Sequence, residues 1–167
     1  MSLYLSQEET RSYHPLDLVE QVVASHEWPF DRQGDEELTV GVSGSWCEYH
    51  LWFSWREELC ALHLSCAFDM KVAKNKRGEL CKLLVNCNER MWVGHFDLWG
   101  EEGLLMFRHS LPLRGANGPT TEQVVDIVET AITECERFYP AIQFCLWGGH
   151  SPEDALAAAM LETVGEA

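Results

Sequence analysis

The chain has 167 residues, 46% of them hydrophobic and 23% charged, which is the make-up of a single globular domain with a full core. Twenty-seven acidic residues against twelve basic ones give a net charge of −15. That balance disfavours nucleic acid and anionic membrane as partners, since both require phosphate neutralisation by clustered Lys and Arg.

Seven cysteines are an odd number, and no two are closer than six positions, so no CxxC motif exists. They read as reduced residues in a reducing compartment, with no disulfide expected. The N-terminus lacks a basic start followed by an apolar run, and no apolar stretch has the length to span a bilayer. A cytoplasmic location is the expectation.

Residues 1–13 are polar and aperiodic and read as a flexible tail, followed by one domain over 14–167. The first helix is predicted to start at Pro15, with Asp17 in its first turn and an apolar stripe of Leu16, Val19, Val22 and Val23. Three strands follow. Leu38, Val40 and Val42 alternate in the first. Tyr49, Leu51, Phe53 and Trp55 share one face of the second, and Cys60, Leu62, Leu64 and Cys66 share one face of the third, followed by Phe68. A two-residue loop at Glu57–Glu58 would set Trp55 beside Cys60, Phe53 beside Leu62, Leu51 beside Leu64 and Tyr49 beside Cys66, merging the apolar faces.

The second helix is predicted over about 76–91, with Leu80, Leu83, Leu84, Cys87 and Met91 at helical spacing. Two further strands pair across the loop Gly100-Glu101-Glu102-Gly103, placing Phe96 against Phe107 and Leu98 against Leu105. Thr120 and Gln123 have capping-box spacing at the start of a long helix. Pro140 is expected to kink or break it, with a stop at Gly148–Gly149. Ser151-Pro152-Glu153-Asp154 opens a further helix to about Leu161. The predicted class is α+β, an antiparallel sheet packed by helices in the order α-β-β-β-α-β-β-α plus an extra C-terminal helix.

No nucleophile elbow, phosphate loop or metal-ligand cluster interrupts this pattern, and no cofactor or metal is expected. Gly115-Ala116-Asn117-Gly118 lacks the lysine and spacing of a P-loop. In the predicted register His63 lies across from Trp52, with His50 diagonal to it; two histidines without a third ligand make a poor zinc site. His95 opposes Arg108, and Asp97 forms a cross-strand ion pair with Arg108. A small-molecule-sensing or weakly catalytic site around His63, His95 and Asp97 is the alternative reading, though no nucleophile or oxyanion donor accompanies them. No catalytic residue is assigned.

The more informative surface is the sheet face opposite the apolar one. By strand parity it carries Trp52, His63, Trp99 and Met106, too aromatic for bare surface and too polar for an ordinary core. A protein interface is one reading; cover by the C-terminal helix or the tail is the other.

The segments HPLDLVEQVVASHEWPFDR, WREELCALHLSCAFDMKV, NERMWVGHFDLWGEEGLLMFRHSL, ERFYPAIQFCLWGG and AAMLETVGEA resemble the bacterial YbjN family, from about Pro15 to the end of the chain. The most specific stretches are the Trp-Arg-Glu-Glu turn at 55–58, Gly-His-Phe-Asp-Leu-Trp at 94–99 and the closing Glu-Thr-Val-Gly-Glu-Ala at 162–167. The family is described as candidate sensory transduction regulators, with no catalytic residues to carry over. Its members are similar in fold to type III secretion chaperones, which are small, acidic and dimeric. The resemblance implies a non-enzymatic protein-binding adaptor or chaperone-like regulator in stress or sensory signalling, a homodimer with an unidentified protein partner. Fold likeness alone does not establish that function.

Overall fold

A computed structural model describes residues 14–165, with side chains through 161. The tail expected over 1–13 and the last two residues lie outside the described residues. Helix α1 (Pro15–Ser25) starts where the first-turn proline predicts, and the His14 ring nitrogen accepts from the Leu16 N–H at 3.2 Å. Its stripe of Leu16, Val19, Val22 and Val23 is buried.

Four strands follow: β1 (Phe30–Gln33), β2 (Glu37–Ser43), β3 (Glu48–Arg56) and β4 (Ala61–Lys71). Helix α2 (Arg77–Asn88), strands β5 (His95–Trp99) and β6 (Leu104–Pro112), and helices α3 (Thr121–Leu146) and α4 (Pro152–Gly165) complete the chain. The strands form one antiparallel sheet in the order β1-β2-β3-β4-β6-β5. This is the predicted α+β class, with one added edge strand. Phe-Asp-Arg-Gln in β1 has no alternation of buried and exposed positions, so nothing in its pattern announces it.

The β5–β6 hairpin has the predicted register, with Phe96 opposite Phe107 and Leu98 opposite Leu105. Gly100 and Gly103 turn the chain at φ +69° and +68°. The β3–β4 hairpin does not. Phe53 faces Leu64, not Leu62; Trp55 faces Leu62, Leu51 faces Cys66, and Tyr49 faces Phe68. The cause is the connection. A two-residue hairpin loop needs positive φ at its centre, which Glu57–Glu58 cannot supply cheaply. Instead Glu57–Leu59 form a 3-10 turn and Cys60 takes φ +47°, so Arg56 pairs with Ala61. Cys60 therefore belongs to the loop, where its carbonyl accepts from the Leu113 N–H at 2.8 Å. The shift is two residues, an even number, so each side chain keeps its predicted face.

Helices lie on one face of the sheet. Leu38, Tyr49, Phe53, Leu64, Phe68 and Phe107 from the strands bury against Val124, Val128, Ala131, Cys135 and Phe138 of α3. The Thr120 hydroxyl accepts from Gln123 N–H at 3.1 Å, and the Gln123 side chain accepts from Thr120 N–H at 2.9 Å, so the capping box is complete. Pro140 does not break α3, which is continuous to Leu146. An interior proline costs about 3 kcal/mol. The buried neighbours Phe138, Tyr139, Ala141 and Ile142 offset that cost by holding both halves of the helix against the core. Helix α4 begins with the Ser151 hydroxyl accepting from Asp154 N–H at 3.2 Å and buries Ala155, Leu156 and Ala159 against α2 and α3. It sits on the helical side. The opposite sheet face is left uncovered by any described element.

None of the seven tryptophans reaches the fully buried core. Trp46, Trp52, Trp92, Trp99 and Trp147 are exposed, and Trp28 and Trp55 pack at the core's margin.

Candidate functional site

The uncovered sheet face is a broad groove of about 1300 Å³. Small-molecule sites span about 300–1000 Å³, so the groove has room for a segment of protein. The strand register sets its side chains in cross-strand rows. One row runs Asp31, Thr39, Trp52, Ser65, Arg108, His95 from β1 to β5. The next runs Gly41, His50, Ala67, Met106, Asp97. On the other side lies Glu37, Ser54, His63, Ser110. Leu104 and Trp99 pair at the far end, beyond an irregularity in β4 between Ala67 and Lys71.

All four residues singled out by parity lie on this face, in different settings. Trp52 is 49% exposed on β3 and Trp99 is 54% exposed on β5. Met106 is only 6% exposed and, with Ala67 beside it, forms the floor between the two indoles. His63 faces Ser54, not Trp52, because of the two-residue shift, and His50 lies opposite Ala67, away from His63. The shift also supplies partners that sequence reasoning misses. His63 Nδ1 lies 2.7 Å from the Ser110 hydroxyl and Nε2 lies 3.1 Å from the Ser65 hydroxyl. Burial pushes the His63 pKa down, and the nearby Arg108, His109 and His95 push it the same way. The ring thus sits between two serines in surroundings that favour its neutral form.

Asp97 pairs with Arg108 at 2.9 Å, as expected, and its other oxygen accepts from the Leu98 N–H at 2.8 Å. The Arg108 guanidinium lies 4.7 Å from the centre of the Trp99 ring, a cation–π contact. Spacing alone could not show this, since Trp99 and Arg108 sit in different rows. His63 engages Ser110 and Ser65 while Asp97 engages Arg108, so the hydrogen bonds of His63 and Asp97 do not join them to each other or to His95. Among the described residues no group of three His, Cys, Asp or Glu side chains is placed to hold a metal. Nor is any described helix long and apolar enough to cross a membrane.

Residues 15–144 match the family model YbjN, "Putative bacterial sensory transduction regulator". The chain belongs to the YbjN family. A solved structure described as "YbjN, a putative transcription regulator from E. coli" is similar to this YbjN chain with a TM-score of 0.53 and 16% identity. The likeness covers 72% of this chain and 85% of that one. At that identity it concerns the fold alone. No curated protein matches the chain in sequence.

Proposed function

We propose that this YbjN protein is a non-enzymatic adaptor, a chaperone-like regulator that works by binding protein through the open sheet face. The observation that carries the reading is the position of α4. The one described element that could have covered Trp52 and Trp99 packs on α2 and α3 instead. Two indoles and a partly open groove floor stay available, and each large apolar group left in water forgoes about 1.5–3 kcal/mol of burial. Tryptophan and arginine dominate the energetics of protein interfaces. Here Arg108, paired with Asp97, lies over the Trp99 ring, a contact that favours one indole orientation and lowers the entropic cost of docking. A homodimer, expected from the family resemblance, is one form such binding takes.

Affinity capture from cells of the source bacterium tests this reading. Wild-type protein and the Trp52→Ala and Trp99→Ala variants are immobilised in parallel. The expected result is a retained protein, identified by mass, that both variants lose while their circular dichroism is unchanged. Identical retention by all three would overturn the reading.

A further inference from the structure

The two edges of the sheet differ. At β5 the Asn88 side chain bonds both the N–H and the C=O of Phe96. At β1 no described side chain does the same for the backbone. Which groups β1 leaves free follows from its register. Pro29 lies opposite Gly41, and its carbonyl accepts from the Gly41 N–H at 3.1 Å. Bonded positions recur at every second residue of an antiparallel pair. Asp31 and Gln33 therefore turn their N–H and C=O groups toward Thr39 and Glu37 of β2. Phe30 and Arg32 turn theirs outward, where these groups have no partner among the described residues.

The edge is also strongly acidic. Arg32 is the only lysine or arginine between His26 and Glu37, and its guanidinium is shared among Asp17, Glu20 and Asp35. Glu27, Asp31, Glu36 and Glu37 lie on β1, at the start of β2 or in the segments flanking β1, and have no ion-pair partner among the described residues. Charge on an edge strand guards it against indiscriminate pairing. Here the unpaired charge is of one sign, so the guard is selective. A second copy of this chain would bring the same carboxylates against these, and any acidic segment is repelled likewise. A basic segment is attracted.

The side chains of β1 divide by parity. Asp31, opposite Thr39, points to the open face. Phe30, opposite the buried Val40, points to the helical face and is still exposed. A strand laid beside β1 meets a carboxylate on one side and an apolar ring on the other.

We propose that the β1 edge takes an extended basic segment of a partner protein as an added strand, with lysine or arginine beside Asp31 and apolar residues beside Phe30. The backbone groups of Phe30 and Arg32 supply the hydrogen bonds of strand addition, and the carboxylates select the partner. This edge is a different surface from the face that carries Trp52 and Trp99, and the inference does not rest on the adaptor reading above.

A fluorescein-labelled peptide of alternating lysine and valine tests it, titrated with the full chain and read by anisotropy. Wild type should bind the peptide, more weakly as salt rises, and should not bind its counterpart with glutamate in place of lysine. Methylating every backbone nitrogen of the peptide keeps its charge and removes its donors, and should weaken binding by about tenfold or more. Phe30→Pro removes one edge donor without removing a bond to β2, and should weaken binding by about tenfold, more than Phe30→Ala does. Circular dichroism checks that each variant is folded. In amide exchange of the free protein, Phe30 and Arg32 should exchange fast and Asp31 and Gln33 slowly, and saturating peptide should protect the first two. Equal binding of the methylated peptide, or by Phe30→Pro, would mean charge attraction alone and overturn the inference. Phe30 and Arg32 amides left unprotected by the peptide would do the same. Binding lost in Trp52→Ala but kept in Phe30→Pro would put the peptide on the sheet face, sinking the edge inference and leaving the adaptor reading standing. The expected titration, together with tryptophan variants that capture protein like wild type, would sink the adaptor reading alone.

Discussion

Asn88 closes the outer edge of the sheet at Phe96. Its side-chain amide donates to the Phe96 carbonyl at 3.0 Å and accepts from the Phe96 N–H at 2.6 Å. One amide thus takes the place of a neighbouring strand. The last residue of α2 is held against the edge strand β5 by these bonds, and an exposed edge that would invite pairing is blunted.

Asn88→Ala should therefore cost stability and protection together. Two hydrogen bonds at about 0.5–1.5 kcal/mol each amount to about 1–3 kcal/mol. In a chain of this size each kcal/mol lowers the melting temperature by about 2–4 °C. Calorimetry and amide exchange at Phe96 are the measurements. An unchanged exchange rate at Phe96 would show that the amide is not its partner.

Gly94 and Gly34 form a matched pair. Both have positive φ, +74° and +63°. A Cβ on Gly34 meets nothing within 4 Å, whereas one on Gly94 would stand 2.1 Å from the fully buried Phe107 ring. Gly34→Ala should cost only the left-handed penalty of about 1–2 kcal/mol. Gly94→Ala should add about 1–3 kcal/mol of overpacking to a similar penalty. Chemical denaturation compares them, and equal losses would exclude the ring collision.

Acid should weaken the fold through His63 and His109. Burial comes first among the causes that lower both pKa values. The unfolded chain then binds protons more readily than the folded one once pH falls below about 6.5, the ordinary histidine value. The stability contributed by these rings is complete above that pH and is lost as pH falls toward their lowered folded values. Denaturant midpoints at about pH 7.5 and about pH 5.5 should differ, and the His63→Asn and His109→Asn double variant should show a smaller difference. A wild-type profile identical to that of the double variant would refute the assignment.

The thiols should react in order of burial. Cys81 is exposed. Cys66 and Cys135 are buried with their sulfurs 3.8 Å apart, and burial holds the Cys135 thiol well above its ordinary pKa. Burial also pushes the Cys87 thiol up to about 12. Because the thiolate is the reactive form, maleimide at neutral pH should label Cys81 first and reach Cys66, Cys87 and Cys135 only on unfolding. Mass spectrometry of digested protein reads the order. Early labelling of Cys135 in native protein would contradict the packing of α3 on β4.

Local chemistry makes part of the site legible in the sequence. Strand parity places Trp52, His63, Trp99 and Met106 on one face, because alternation survives any even slip in register. The hairpin of β5 and β6 and the Asp97–Arg108 pair follow from a glycine-bounded loop of fixed length. The Thr120–Gln123 box follows from spacing within a single helical turn. Each of these is decided over a few residues.

What only the tertiary structure decides depends on groups far apart in the chain. The β3–β4 register turns on a loop whose geometry is secured by a bond from Leu113 to Cys60. That geometry takes His63 away from Trp52 and sets it between the two serines that hold it. Strand β1 exists because β2 offers it an edge, and α3 runs through Pro140 because the core grips both sides. The docking of α4 on α2 and α3, which leaves the tryptophan face open, likewise depends on where apolar surface is still unburied once the sheet and α3 have met. Short-range pattern sets which way a side chain points, but what it meets there is a matter of long-range packing.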